Sequence, residues 1–108
     1  MELKEKKCKP CEGGTSPLRS QQISHYLKEL DTNWEVIDNN TKIQQSYKFN
    51  NFREALDFAN KVGEIAEEEQ HHPDLHVYYG KVTIDLSTHA IGGLSENDFI
   101  MASKIETI

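Results

Sequence analysis

The feature that most constrains this chain is a long amphipathic segment with a pair of alternating segments on either side. Residues 52–66 carry apolar side chains at every third or fourth position, which predicts a helix with one apolar stripe. Asn51 is expected to cap its start, and Pro73 ends any helix that precedes it. The stripe consists of Phe52, Ala55, Leu56, Ala59, Val62, Ile65 and Ala66.

Each flanking region predicts an antiparallel β-hairpin. In residues 34–49 and again in residues 75–86, apolar and polar side chains alternate, which is the period of a strand with one buried face. Turn-forming residues interrupt both regions, at residues 38–40 and at Gly80. Two hairpins, each apolar on one side, can join into one sheet.

Two shorter helices complete the pattern, one over residues 23–30 and one over residues 99–105 with Ser95 as its cap. The order helix-strand-strand-helix-strand-strand-helix predicts an α+β fold of two layers. A four-stranded antiparallel sheet would carry three helices packed on one face. The exposed edges of so small a sheet indicate self-association, as a homodimer or a homotetramer.

A chain of 108 residues suffices for one such domain, which we place at residues 17–108. Residues 1–16 are predicted to form an extended N-terminal arm, where proline and glycine oppose regular structure. The arm contains Cys8 and Cys11, a Cys-x-x-Cys without the second pair of ligands that a zinc site needs. We expect reduced thiols, and metal capture in an oligomer stays open.

Charge and hydropathy exclude several classes of protein. The formal net charge is −6, and the 12 lysines and arginines are scattered, which argues against direct binding of nucleic acid. No apolar run approaches the length of about 18 residues that a transmembrane helix needs. The charged start of the chain leads into no apolar stretch and so resembles no signal peptide. The expected location is cytoplasmic.

The histidines are the main candidates for chemistry, since four of the five fall within residues 71–89. His71 and His72 follow the long helix, whose C-terminal dipole favours the imidazolium form and so supports proton transfer near neutral pH. If the second hairpin turns at Gly80, His72 and His89 lie at the same end of it. The three rings are then expected to share the rim of one pocket.

A metal site is the competing interpretation of these histidines. Pro73 lies between His72 and His76, so the two cannot occupy one turn of a regular helix. On an extended strand they would be about 13 Å apart, too far to bind one ion. A site of three histidines with Glu67 or Asp98 is therefore the weaker hypothesis, and we expect no metal.

Two acidic residues lie where they can support the histidines. Glu67 is one turn before His71 and can hydrogen-bond to its ring. Asp98 is the third residue of the last helix, where it either satisfies a backbone amide or orients a histidine or a ligand. His25 and His76, on a helix and in mid-strand, are expected to be surface residues without a catalytic task.

The spacing of these residues resembles the pterin-4a-carbinolamine dehydratase family. The resemblance rests on Glu67-x-x-x-His71-His72-Pro73 followed by Tyr79, His89 and Asp98, and it covers about residues 17–106. The stretches 86–89 and 92–95 extend it, and the Cys8-x-x-Cys11 arm is similar to the leader of some members. The helix and hairpin order also agrees with the family fold.

The resemblance implies dehydration of 4a-hydroxytetrahydrobiopterin to quinonoid dihydropterin plus water, without a metal or organic cofactor. This reaction recycles the tetrahydrobiopterin of an aromatic amino-acid hydroxylase, which becomes a functional partner. The implied catalytic residues are His71, His72 and His89, with acid and base roles for His71 and His89 and substrate orientation for His72. Gln70, Ser87, Thr88 and Ala90 are implied to contact the pterin as well, and Glu67 and Asp98 to hold the histidines.

Two alternatives remain beside this activity. Some relatives are associated with dimerising a transcription factor, so a non-catalytic scaffold or coactivator-like protein is the first. The second is a related enzyme that acts on another pterin and keeps the same pocket. An intact histidine set favours catalysis over a pure scaffold.

Overall fold

The computed structural model describes residues 2–10 and 15–108 of the chain. Its elements follow the predicted order, so the α+β two-layer class is confirmed. Two short 3-10 helices, Leu3–Glu5 and His89–Ile91, are additional. The main elements are α1 (Ser20–Lys28), β1 (Glu35–Ile37), β2 (Lys42–Lys48), α2 (Phe52–Glu69), β3 (Asp74–Tyr78), β4 (Lys81–Leu86) and α3 (Glu96–Ile105).

The four strands form one antiparallel sheet in the order β1-β2-β4-β3. Each predicted hairpin is present, and the two meet along β2 and β4, where Ile43 lies opposite Leu86 and Tyr47 opposite Val82. Strand β4 is central in the sheet, and its apolar face is completely covered: Val82, Ile84 and Leu86 are 0% exposed. The helices cover this face. The other face is polar, with the Ser46 and Thr83 hydroxyls 2.9 Å apart.

Helix α2 buries a narrower stripe than the periodicity predicted. Its buried apolar residues are Ala55, Phe58, Val62 and Ala66, whereas Phe52 and Leu56 of the predicted stripe are 44% and 39% exposed. Successive residues lie about 100° apart around a helix, so Leu56 is turned well away from Ala55. Phe58 was missing from the predicted stripe, and it packs against the rings of Tyr47 and Phe49 at centroid distances of 4.8 and 5.1 Å.

The described part of the N-terminal arm packs on the domain. Leu3, in the 3-10 helix Leu3–Glu5, is 4% exposed and belongs to the same core as α3. Lys104 of α3 donates a hydrogen bond to the carbonyl of Lys4 at 3.0 Å. An isolated leucine among charged residues has no periodicity, which is why this short helix was not predicted. In the described residues no helix is long and apolar enough to cross a membrane.

Two glycines provide a matched test of the fold. A Cβ at Gly80 would lie 2.9 Å from the Phe49 carbonyl oxygen, whereas a Cβ at Gly63 of α2 would meet nothing within 4 Å. We expect Gly80→Ala to lower the free energy of unfolding by about 1–3 kcal/mol through overpacking. Gly63→Ala should raise it by about 0.5–1 kcal/mol through helix propensity. Urea unfolding measures both, and equal midpoints would contradict the close approach at Gly80.

Candidate active site

The predicted site residues meet at one end of the β3–β4 hairpin. The strands pair Asp74 with Asp85, and continuing this register past the strand ends sets His72 opposite Ser87. A cleft of about 310 Å³ opens there, which we call the histidine cleft. It is lined by Gln70, His71, His72, Ser87, Thr88, His89 and Ala90, which are all the predicted substrate contacts, and by Lys9, Pro10 and Asn97, which were not predicted.

The end of α2 directs two of the histidines into this region. Gln70 adopts a left-handed conformation with φ 54° and ψ 39°, which turns the chain out of the helix. The backbone N–H of His71 then donates to the carbonyl of Ala66 at 3.2 Å, and the Gln70 side-chain amide donates to the Glu67 carbonyl at 2.6 Å. Glycine usually occupies this position, and a residue with a Cβ costs about 1–2 kcal/mol there. Such strain is typical of functional sites.

His71 is held by a buried carboxylate. Its Nε2 lies 2.7 Å from Oδ1 of Asp98, and the exposed fractions of the two side chains are 12% and 0%. The other oxygen, Oδ2, accepts from the Thr88 hydroxyl at 2.8 Å and from the Ser95 backbone N–H at 3.0 Å. The exit of α2, the end of β4 and the start of α3 therefore meet at one side chain.

This arrangement selects a tautomer for His71. A carboxylate carries no proton to donate, so Nε2 of His71 must be the donor in its hydrogen bond with Asp98. In the neutral ring the proton-accepting nitrogen is then Nδ1. Since Thr88 gives its only hydroxyl proton to Asp98, its hydroxyl accepts from that of Ser95 at 2.8 Å. Thr88 is thereby assigned to positioning Asp98 as well as to lining the cleft.

His72 and Glu67 form a second pair at the rim. Nε2 of His72 contacts a carboxylate oxygen of Glu67, with both side chains more than half exposed. An ion pair so open to water contributes little to stability. The predicted pairing of Glu67 with His71 is wrong: Asp98 holds His71, because the turn at Gln70 directs the first histidine inward and leaves Glu67 near the second.

His89 enters the cleft from the other side. It begins the 3-10 helix His89–Ile91 and is exposed, and no hydrogen bond to the rest of the described chain holds its ring. The loop below it is closed by the Thr88 N–H donating to the Gly93 carbonyl at 2.8 Å. A Cβ at Gly93 would lie 2.7 Å from Cβ of Pro17, so this backbone approach requires glycine. Within the described residues, His89 is thus a ring without a hydrogen-bond partner on a loop that is itself fixed.

Other residues singled out by the sequence lie elsewhere. Tyr79 is 72% exposed at the opposite end of the hairpin, about 16 Å of strand beyond Asp74, where β3 begins beside the cleft. His76 faces Asp85 at 3.3 Å on the polar side of the sheet, and His25 lies 3.8 Å from Glu29 on α1. Among the described residues no three histidine, cysteine or acidic side chains come together as a metal site requires.

The surroundings of Cys8 disfavour the thiolate, which is the nucleophilic form of a cysteine. The Cys8 thiol is half-buried, and burial together with the Glu69 and Asp98 carboxylates raises its pKa to about 12. It donates to the Asn97 carbonyl at 3.6 Å. The expectation of reduced thiols stays a prediction, because Cys11 lies outside the described residues.

Comparison with known proteins gives consistent similarities. The sequence profile of the family described as "Pterin 4 alpha carbinolamine dehydratase" matches residues 16–108. A Rickettsia canadensis (strain McKiel) protein named "Putative pterin-4-alpha-carbinolamine dehydratase" is 50% identical over 105 residues, covering 97% of this chain and 95% of that one. A crystal structure of a "transcriptional coactivator/pterin dehydratase" from Brucella melitensis is 32% identical with a TM-score of 0.78, covering 85% and 97% of the two chains.

A more distant structure shares the fold alone. It is a pterin dehydratase-like protein described as a RuBisCO assembly factor in the alpha-carboxysome, with a TM-score of 0.61 and 15% identity. The match covers 71% of this chain and 89% of that one. At this identity the similarity concerns architecture and carries no inference about residues.

The carboxylate network predicts the behaviour of an Asp98→Asn variant. An amide has one acceptor atom where the carboxylate has two, so at least one of the three groups that donate to this buried side chain loses its acceptor. We expect the free energy of unfolding to fall by about 1–3 kcal/mol. In ¹⁵N NMR spectra the His71 ring should no longer be held as the Nε2–H tautomer alone. Asp57→Asn, at an exposed position of α2, is the control; equal stability and an unchanged His71 spectrum would refute the network.

Proposed function

We propose, because the chain belongs to the pterin-4a-carbinolamine dehydratase family, that it removes water from a 4a-hydroxytetrahydropterin. The observation that carries the proposal is the histidine cleft, in which His71, His72 and His89 line about 310 Å³. Clefts from about 300 Å³ upward, with a few convergent polar groups, suit small heterocyclic ligands. We take 4a-hydroxytetrahydrobiopterin as the substrate and quinonoid dihydropterin as the product.

The reaction needs one proton donor and one proton acceptor. The bond between C4a and the hydroxyl oxygen breaks, and the hydroxyl takes a proton and leaves as water. A proton leaves the ring nitrogen system, and its electron pair forms the new double bond of the quinonoid product. Proton uptake and release balance, so the reaction consumes no other reagent. General acid and base catalysis by placed histidines is worth about 10²–10⁴-fold for such steps.

We assign the base to His71 and the acid to His89. The hydrogen bond to Asp98 keeps the proton of His71 on Nε2, so Nδ1 is the accepting atom, and the carboxylate stabilises the imidazolium that forms. His89 has an exposed ring without a partner in the described chain, which suits a group that exchanges its proton with solvent between turnovers. The two rings enter the cleft from different elements.

The remaining cleft residues bind and orient the pterin. His72, supported by Glu67 at the rim, is proposed to orient the ring. Gln70, Ser87 and Ala90 line the cleft beside it and provide hydrogen-bonding groups and a flat surface for a heterocycle rich in donors and acceptors. Thr88 acts mainly through Asp98, because its hydroxyl proton is already donated.

In the cell we propose a cytoplasmic enzyme that recycles tetrahydrobiopterin for an aromatic amino-acid hydroxylase, acting as a homodimer or homotetramer. A scaffold role is the second candidate, favoured by the coactivator description of the Brucella melitensis protein, which has the same fold. A third candidate is the same chemistry on another pterin. A scaffold does not require His71 to be held by a buried carboxylate in a cleft, whereas dehydration of either pterin uses that arrangement directly.

The decisive experiment measures the disappearance of 4a-hydroxytetrahydrobiopterin, generated in situ by a hydroxylase, with and without this protein. The uncatalysed rate is subtracted from each trace. Acceleration in proportion to protein concentration supports the dehydratase. A folded sample without acceleration would contradict it, and a partner pull-down would then test the scaffold.

Replacing both proposed proton-transfer residues should remove activity without unfolding the protein. His71→Ala/His89→Ala is expected to lower kcat by at least about 10²-fold, since both histidines take part in proton transfer. The control is His25→Ala/His76→Ala, which removes the two histidines outside the cleft and should leave kcat unchanged. Circular dichroism verifies folding. Near-normal turnover in the first double variant would disprove acid and base catalysis by these rings.

Removal of metal should not affect turnover. The proposed mechanism uses only histidine proton transfer, so activity after exhaustive dialysis against a chelator is expected to match that of the untreated protein. The measurement is the same dehydration rate, with zinc added back to one sample. Loss of activity that zinc restores would revive the metal-site interpretation.

A further inference from the structure

Residues 8–10 of the N-terminal arm, which we call the rim segment, lie against the histidine cleft. Lys9 and Pro10 line it together with His71, His72 and His89. The cleft thus has a wall that is about 60 residues away in sequence from the nearest of its other lining residues. A backbone at such a position affects ligand binding only if it is held in one place.

Asn97 holds the rim segment by its backbone. The Asn97 Oδ1 accepts from the Lys9 N–H at 2.9 Å, and its Nδ2 donates to the Lys9 carbonyl at 2.5 Å. Asn97 is only 7% exposed, and it also lines the cleft. One side chain therefore binds both polar groups of one peptide residue, much as a neighbouring β-strand would.

Two further contacts fix the position of the segment along the chain. The Cys8 N–H donates to Oε1 of Glu69 at 2.8 Å, and Glu69 is 8% exposed with Lys104 3.6 Å from its carboxylate. Upstream, Leu3 is buried in the core. Since the segment is anchored at consecutive residues and at its upstream end, it cannot slide over the cleft.

Asparagine is the residue type that suits position 97 for holding the backbone of Lys9. Asn97 is the second residue of α3, where a carboxylate would interact more favourably with the helix dipole. A carboxylate can accept from the Lys9 N–H but cannot donate to the Lys9 carbonyl. Only an amide side chain of this length makes both hydrogen bonds.

We propose that the rim segment is a substrate-binding wall of the pterin site and that Asn97 is the positioning residue that keeps it in place. The identity of the ligand rests on the proposed function. The wall contacts the ligand without taking part in proton transfer. Its loss should therefore weaken binding of substrate and product alike and leave the chemical step intact.

The first test is Asn97→Asp, with Asn60→Asp on the exposed surface of α2 as the matched control. Loss of the hydrogen bond to Lys9 and weaker placement of the wall should raise KM about tenfold, with kcat unchanged. The Kd for 7,8-dihydropterin, measured by calorimetry without turnover, should rise by the same factor. Asn60→Asp should change neither quantity.

A second pair of variants leaves α3 untouched. Lys9→Pro removes the backbone N–H that donates a hydrogen bond to Asn97. Lys9→Ala keeps this N–H and removes only the side chain beyond Cβ. Lys9→Pro should reproduce the rise in KM and Kd. If Lys9→Ala has the same effect, the side chain and not the held backbone is responsible, and the role of Asn97 is refuted.

The Cys8 thiol reports the position of the segment independently of activity. It is half-buried beside Glu69 when the segment is seated, so its alkylation by iodoacetamide at pH 8 should be slow. In a Cys11→Ser background, Asn97→Asp should accelerate it about tenfold or more as the thiol regains its ordinary acidity. An unchanged alkylation rate would show that Asn97 does not hold the segment and would overturn the proposal.

The outcomes separate this proposal from the proposed function. If Asn97→Asp frees Cys8 but leaves KM and the 7,8-dihydropterin Kd unchanged, the segment is no binding wall, whether or not the protein is a dehydratase. If the protein binds 7,8-dihydropterin in an Asn97-dependent way without accelerating dehydration, the wall is supported and the dehydratase activity is contradicted. A fall in kcat with unchanged KM in both Asn97→Asp and Lys9→Pro would also refute a wall.

Discussion

The buried carboxylate of Asp98 is the interaction on which the rest of the site depends. A charge that is fully removed from water destabilises the fold by several kcal/mol unless donors surround it. His71, Thr88 and Ser95 provide those donors. Their convergence requires α2 to end where β4 ends and where α3 begins. The position of the cleft is therefore a consequence of satisfying one acidic side chain, and the same contact orients the histidine to which we assign the base.

The first turn of α3 extends this principle to its neighbours. Ser95 and Asp98 hold the end of β4, and Asn97 holds the arm beside the cleft. Between them, Glu96 lies 2.9 Å from Lys6 and accepts from the Tyr26 hydroxyl at 3.2 Å, and the hydrogen bond from Lys6 lowers its pKa. Successive residues thus connect the strand, the arm and α1. Because α3 is buried along nearly its whole length, this turn is a rigid platform for a site made otherwise of loops.

Much of the architecture could be predicted because it rests on local patterns. The alternation of apolar and polar residues predicted both hairpins, and the turn at Gly80 predicted that His72 and His89 lie at the same end of the second hairpin, as the strand register confirms. Other predictions failed where local patterns carry no information. Phe52 and Leu56 suited an apolar stripe, yet the sheet covers only one side of α2 and leaves them partly exposed. Leu3, alone among charged residues, gave no periodic signal, although it is buried.

By itself the sequence determined the order of the elements and the gathering of the histidines, since period, caps and tight turns act over a few residues. Only the tertiary structure decided which acidic residue hydrogen-bonds to which histidine ring and which backbone segment lines the cleft. Asp98 meets His71 across 27 positions and Asn97 meets Lys9 across 88. Such pairs depend on how helices and arm pack on the sheet. Glu67 is closer than Asp98 to His71 in sequence. Because of the left-handed turn at Gln70, however, its carboxylate contacts His72 instead.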